Sequence, residues 1–303
     1  MNGNTIAKAV IPVAGYGTRL LPATKSQPKE MLPVVDRPAV QYVVEEAVAS
    51  GIESILFVTG RGKRAIEDYF DYSIELEGEL EQKGKKDLLH EIREIGNMVQ
   101  IFYVRQKIQR GLGDAIYQAK RFVNGTSFAV LLADDIIDAD VPVLSRMKEA
   151  YQENLGVILA VTRIPREEIS QWGVIQGKKI GERLYEVEDL VEKPEPEEAP
   201  SDLAIVGRYI LTPSIFESIA RTTPGKGGEI QLTDAIRSLR GSERIYAYEF
   251  AGTYYGVGDK IGYLKANIAF ALKREDLGKE LREFLEKLRE EGLHEDGVKK
   301  WRR

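Results

Sequence analysis

KAVIPVAGYGTR, residues 8–19, joins an apolar run, a glycine turn and a cation within one short segment. Its first part (8–13) is short, apolar and rich in β-branched residues, and it runs out into glycine, which is how a strand buried on both faces reads. Gly15 and Gly17 then let backbone amides approach a polyanion, and Arg19 adds a fixed charge suited to bidentate contact with phosphate. Leu20 stands where a dinucleotide fingerprint needs its third glycine, and the GKS/T ending of a Walker loop is missing. A Rossmann dehydrogenase and a P-loop ATPase both lose ground here. Two glycines after a strand also suit an ordinary βα turn, so the rest of the chain has to carry the reading.

The rhythm that starts at residue 8 continues. Residues 38–50 (PAVQYVVEEAVAS) have helical periodicity and stop at Gly51, and 54–59 (SILFVT) read as a second strand. Residues 63–95 are charge-laced and mostly helical, with breaks expected near Gly78 and Gly84. A third strand follows at 99–104, a helix at 114–123, a fourth strand at 128–133, a helix at 142–154 and a strand at 156–162. Apolar strands alternating with helices predict an α/β fold: a Rossmann-like mixed, mainly parallel sheet flanked by helices. Ligands of such sheets bind beyond the carboxyl ends of the strands, so residues 14–19, 106–113 and 134–138 should line one cleft. From 172 to 211 the pattern changes to short strands around an acidic loop at 193–202, predicting a small antiparallel insertion suited to a second substrate. Amphipathic stretches at 264–274 and 277–291 predict closing helices, and the basic tail at 298–303 is expected to fray.

Composition narrows the chemistry. Among 303 residues, 48 are acidic and 43 basic, a formal charge of −5 that does not suit a general nucleic-acid binder. There is no cysteine, which excludes disulfides, thiolate nucleophiles and cysteine-ligated metal. The only histidines, His90 and His294, sit in charged stretches and read as solvated. Any catalysis therefore falls to carboxylates, lysine, arginine, backbone amides and a hard cation. No leader-like segment and no run of membrane-spanning length is visible, which predicts a cytoplasmic protein without a membrane partner.

Three further motifs supply such groups. PKEMLP (28–33) places Lys29 in a proline-stiffened loop, in reach of the same cleft as Arg19 and suited to phosphate as a point charge. Asp134 and Asp135, with Asp138 and Asp140 behind them, follow strand four, where one or two carboxylates plus substrate phosphates suit Mg²⁺. Glu192, Lys193 and Pro194 end a strand and pair an acceptor with a cation, as a sugar hydroxyl and a phosphate require. Singly, each could be a polar turn or a solvated strand end.

Together, G-x-G-T-R, P-K-E-M-L-P, the aspartate after strand four, W-G-V-I and V-E-K-P resemble the sugar-nucleotide pyrophosphorylase superfamily. More narrowly, residues 13–47, LAIVGRY (203–209) and GEIQLTDAI (228–236) look like the bacterial UTP–glucose-1-phosphate uridylyltransferase family (UDP-glucose pyrophosphorylases), over roughly residues 6–272. The resemblance implies that Arg19, Lys29 and Lys193 are catalytic. Ala14, Gly15, Gly17, Thr18, Glu30, Gln106 and Gly111 would bind the nucleotide, and Gly173, Glu192, Lys193, Val206 and Gly207 the sugar phosphate. Asp134 would hold Mg²⁺. UTP and glucose-1-phosphate would give UDP-glucose and pyrophosphate. One catalytic domain is implied over 1–260, with 1–165 mainly for the nucleotide and 166–260 mainly for the sugar phosphate. The helical segment 261–303 would serve a homodimer or homotetramer.

The chain departs from the family pattern at Gly256, where relatives commonly carry a second metal-binding aspartate; Asp259 lies three positions on. That implies weaker Mg²⁺ affinity. Trp172 and Ala133 are milder departures. A thymidylyltransferase on the same scaffold, a nucleotide sensor without turnover and a dinucleotide-dependent oxidoreductase remain the competing readings.

Overall fold

The computed structural model describes residues 5–291, so His294 and the tail at 298–303 lie outside the described residues. The strands in chain order are β1 (Lys8–Pro12), β2 (Pro33–Val34), β3 (Arg37–Pro38), β4 (Ser54–Thr59), β5 (Gln100–Arg105), β6 (Phe128–Leu131) and β7 (Asp135–Asp138). They continue with β8 (Val157–Arg163), β9 (Gly173–Lys179), β10 (Leu184–Glu192), β11 (Leu203–Leu211), β12 (Ile245–Glu249) and β13 (Thr253–Gly256). Nine of them form one sheet in the order β5-β4-β1-β6-β11-β8-β12-β10-β9.

Alternation along β1 explains why that strand is central. Val10 faces one apolar core while Ala9 and Ile11 face another, all fully buried. Val10 and Ile11 each contribute about 1.5–3 kcal/mol by leaving water. One core packs under helices Ala39–Ala49 and Val143–Glu153. The other packs under Leu112–Tyr117, Ile215–Arg221 and Leu232–Ser238. Helices thus cover both faces, as expected of a mainly parallel sheet.

β5, β4, β1 and β6 run parallel, so the loops leaving them emerge at one edge. β11 lies antiparallel between β6 and β8, and β10 antiparallel to β12 and β9. The antiparallel strands expected from 172 to 211 therefore exist, but they join the main sheet, with β11 near its centre. A register shift between Val187 and Asp189 bends β10, and Val174 pairs with Ala204 at the start of β11. A two-stranded ribbon, β7 with β13, stands beside the sheet and aligns Asp135 with Gly256.

Two helix expectations need correction. Helix Ile74–Gln82 runs straight through Gly78, where a Cβ would meet nothing, whereas Gly84 at φ +64° ends it. The helix expected at 114–123 is two short ones, Leu112–Tyr117 and Lys120–Val123. His90 is exposed, as expected. No helix among the described residues is long and apolar enough to cross a membrane.

Candidate active site

The loop between β1 and helix Ala39–Ala49 delivers two cations to the end of β6. Lys29 Nζ lies 2.5 Å from Asp134 Oδ2, and Arg19 Nη2 lies 4.0 Å from the same oxygen. Lys29 is largely buried and Arg19 mostly exposed. Burial pulls the Lys29 ammonium down, but the Asp134 and Glu30 carboxylates outweigh it and hold the group above its ordinary value. Burial pushes Asp134 up, and Lys29 with Arg19 overcomes that and keeps its carboxyl below the ordinary range. The result is an ionised carboxylate between two cations, open on the Arg19 side.

Asp135 faces elsewhere. Its Oδ1 accepts from the Tyr254 hydroxyl at 2.6 Å and its Oδ2 from the Gly207 N–H at 2.9 Å. Burial and the neighbouring Asp134 charge push its carboxyl up to about 6. Asp134 is thus the exposed member of the pair and Asp135 the architectural one. Gly258 completes the surroundings: any Cβ there would run into Asp134 Oδ2 and Arg19 Nη2. Among the described residues no cluster of three carboxylates or histidines encloses a metal. Asp259, the carboxylate closest in sequence to Gly256, caps helix Lys260–Lys273 by accepting from the Gly262 N–H at 2.9 Å.

The remaining expected nucleotide residues surround the same edge. Gly15, Thr18 and Arg19 are exposed, Gly17 is partly so at φ +67°, and Ala14 is buried, its carbonyl accepting from the Gln109 amide. Gln106 is buried and donates to Gly111 O at 3.2 Å and Asp114 Oδ2 at 2.7 Å. Glu30, expected near the nucleoside, is instead 1% exposed and bonded to Lys63 Nζ at 2.7 Å. Its side chain is turned into the protein because the short helical turn Lys29–Met31 sends neighbouring residues in different directions.

Among the residues expected to hold the sugar phosphate, Lys193 takes a positive φ of 49° and its N–H bonds Trp172 O at 2.8 Å. That turn sets Lys193 Nζ 3.3 Å from Glu192 Oε1. Gly173 lies against Glu192: a Cβ there would come within 3.2 Å of Glu192 Oε2 and 3.0 Å of Thr233 Oγ1. Val206 is buried in the core, so only its backbone can face a ligand. Gly207 spends its N–H on Asp135 and its carbonyl on the Leu132 N–H and Arg208. β11 connects the two halves, because Ile205 abuts the Gly173 position and Gly207, two residues on, binds Asp135.

Sequence reasoning overlooked two groups and the packing role of a third. Arg208 is fully buried, paired with Glu46 at 2.7 Å, and donates to the carbonyls of Leu132, Gly207 and Asp135. Its signal was a lone charge inside an apolar strand. Tyr254 bonds Asp135 and had no signal. The 229–236 run proves to be structural cement between subsites: Ile230 bonds Arg110 O and receives the Gly113 N–H, while Thr233 abuts Gly173.

The chain and its fold have known relatives. A family model described as nucleotidyl transferase matches residues 8–273. UTP–glucose-1-phosphate uridylyltransferase 2 of Staphylococcus saprophyticus is 51% identical, over 94% of this chain and 98% of the relative. A UDP-glucose pyrophosphorylase solved in complex with UDP-glucose superposes with a TM-score of 0.83 at 47% identity, over 89% of this chain and 100% of that one. A UTP-bound UGPase from Acinetobacter baumannii gives a TM-score of 0.87 at 42% identity, over 94% and 100%. A family model over most of the chain and a relative half identical over nearly its whole length place the chain in the nucleotidyl transferase family.

Proposed function

We propose that this chain is a UTP–glucose-1-phosphate uridylyltransferase, transferring the uridylyl group of UTP to glucose-1-phosphate and releasing pyrophosphate. The observation that carries the reading is the pairing of two charged subsites beside one strand. Arg19, Lys29 and Asp134 lie at one, Glu192 and Lys193 at the other, and β11 joins them. Relatives about half identical over nearly the whole length carry that activity in their names.

In the reaction, a phosphate oxygen of glucose-1-phosphate attacks the α-phosphorus in line. The new P–O bond forms as the bond to the bridging oxygen breaks, and pyrophosphate takes the electron pair. The nucleophile is already an anion, so no general base is needed, and the near-absence of histidine is no handicap. The catalytic task is to bring two polyanions together. Arg19 and Lys29 receive the triphosphate, and Lys193 the sugar phosphate. The Ala14 and Gly15 backbone, Gln106 and the Gly111 backbone frame the base, and Gly173, Glu192 and the Val206–Gly207 segment frame the glucose.

Asp134 fits a hard divalent cation by its chemistry, since it is an ionised oxygen donor at a strand's carboxyl end. Mg²⁺ held there by Asp134, substrate phosphates and water would neutralise charge developing on the phosphates. With glycine at 256, the affinity is weaker than in relatives with a second aspartate. We assign residues 1–165 mainly to the nucleotide and 166–260 mainly to the sugar phosphate, and place the enzyme in the cytoplasm. The stripe of Ile261, Leu264 and Ile268, exposed on helix Lys260–Lys273, supports a homo-oligomer, a dimer or tetramer.

Pyrophosphate release from UTP and glucose-1-phosphate tests this, with dTTP and EDTA as controls and a magnesium titration. Turnover should need the metal and prefer UTP, and Lys193→Ala should lower it about a hundredfold. Tight UTP binding without turnover would instead make the chain a nucleotide sensor.

A further inference from the structure

Lys63 belongs to none of the motifs used above, yet it is 6% exposed, and its ammonium lies 2.7 Å from the buried Glu30 carboxylate. It arrives from the turn after β4, at the start of helix Arg64–Tyr69. That turn is packed against the anion loop, since a Cβ at Gly60 would lie 2.9 Å from Ala14 O. Signs therefore alternate inward from solvent: Arg19, Asp134, Lys29, Glu30, Lys63.

Lys29 sits between two carboxylates, Asp134 on the substrate side and Glu30 on the protein side. A buried carboxylate needs a cation. If Glu30 lacked Lys63, Lys29 would be the nearest candidate, and turning to Glu30 would take it from Asp134 and from any incoming phosphate. We propose that Lys63 is a positioning residue for the nucleotide. It occupies the Glu30 carboxylate and so keeps Lys29 on the Asp134 side, where the triphosphate is received. The proposal rests on the reading of Lys29 as a triphosphate ligand.

The test uses Lys63→Met, Lys63→Met combined with Glu30→Gln, and wild type. Separate KM values are measured for UTP and glucose-1-phosphate, and UTP binding is measured by calorimetry in EDTA. Lys63→Met should raise the KM for UTP about tenfold or more while moving that for glucose-1-phosphate less than about twofold, and should weaken metal-free UTP binding to match. Adding Glu30→Gln removes the competing charge and should return UTP binding to within about threefold of wild type. Unchanged UTP affinity in folded Lys63→Met overturns the proposal. So does an equal rise in both KM values, or a double variant as weak as the single one. If Lys63→Met does not fold, the double variant decides: UTP binding within about threefold of wild type supports the proposal and a loss of about tenfold overturns it. Wild type that binds UTP without turnover removes the transferase reading and leaves the calorimetric comparison standing.

Discussion

Glu30 is the residue whose environment departs most from what its neighbours in sequence suggest. Burial pushes its carboxyl up, and Lys63 and Lys29 offset only part of that, so the group stays above its ordinary value of 4.5. A carboxyl raised by folding binds its proton more readily in the native chain than in the unfolded one. Stability therefore falls as pH rises from the unfolded value through the raised one, and the contribution is most favourable below both. Glu30→Gln removes the titration, so its melting temperature relative to wild type should climb as pH rises from about 4.5 towards neutrality. Melting curves at intervals from about pH 4 to about pH 8 check this, and a difference constant over that range would refute it. That Lys29 and Asp134 would meet was legible, by contrast, because the loop leaving β1 and the end of β6 open at one edge of a parallel sheet. The direction of Glu30, one position along a tight helical turn, was not.

Local elements were mostly legible where hydrophobic period and glycine agreed. β1, β4 and β6 emerge where apolar runs meet glycine or acid, and Gly84 ends a helix through its positive φ. Gly78 misled because a glycine in an exposed helix costs only about 1 kcal/mol, too little to break it. The 229–236 run was visible as a signature, but its work was not, since the Gly173 and Arg110–Gly113 positions it touches are distant in sequence. At Gly111 that work can be tested. Its φ is +99°, and a Cβ would lie 2.7 Å from Glu229 Cβ and 2.9 Å from Ile230 O. Gly111→Ala combines strain with a backbone collision and should cost roughly 2–4 kcal/mol. Gly125→Ala, at φ +75° with open space around it, should cost only about 1 kcal/mol. Denaturant melts give both costs. Kinetics should show Gly111→Ala raising the KM for UTP more than that for glucose-1-phosphate, because the moved turn also accepts from Gln106. Equal effects on the two substrates would detach the turn from nucleotide binding.

The order of strands was not legible, because alternation of strands and helices says nothing about where a late strand inserts. β11 enters between β6 and β8, and Arg208 rides in with it. There one buried guanidinium holds helix Ala39–Ala49 through Glu46, the β6–β7 turn through the Leu132 and Asp135 carbonyls, and β11 through Gly207 O. The turn that carries Asp134 and the strand that carries Gly207 are thus anchored to one side chain. Arg208→Met strands the Glu46 charge and should cost about 3–5 kcal/mol. Adding Glu46→Gln removes that charge while keeping an acceptor for the Leu144 N–H, and should recover most of the loss. Turnover should not recover with it. The Leu132 and Asp135 carbonyls still lack their donor, so the turn carrying Asp134 is no longer fixed against the strand carrying the sugar side. Such slack of about 1 Å can cost about a hundredfold in rate. Denaturation and steady-state kinetics on the single and double variants separate the two effects. A double variant that regains stability and turnover together would reduce Arg208 to a packing residue. One that regains stability alone makes it the joint that sets one charged subsite against the other.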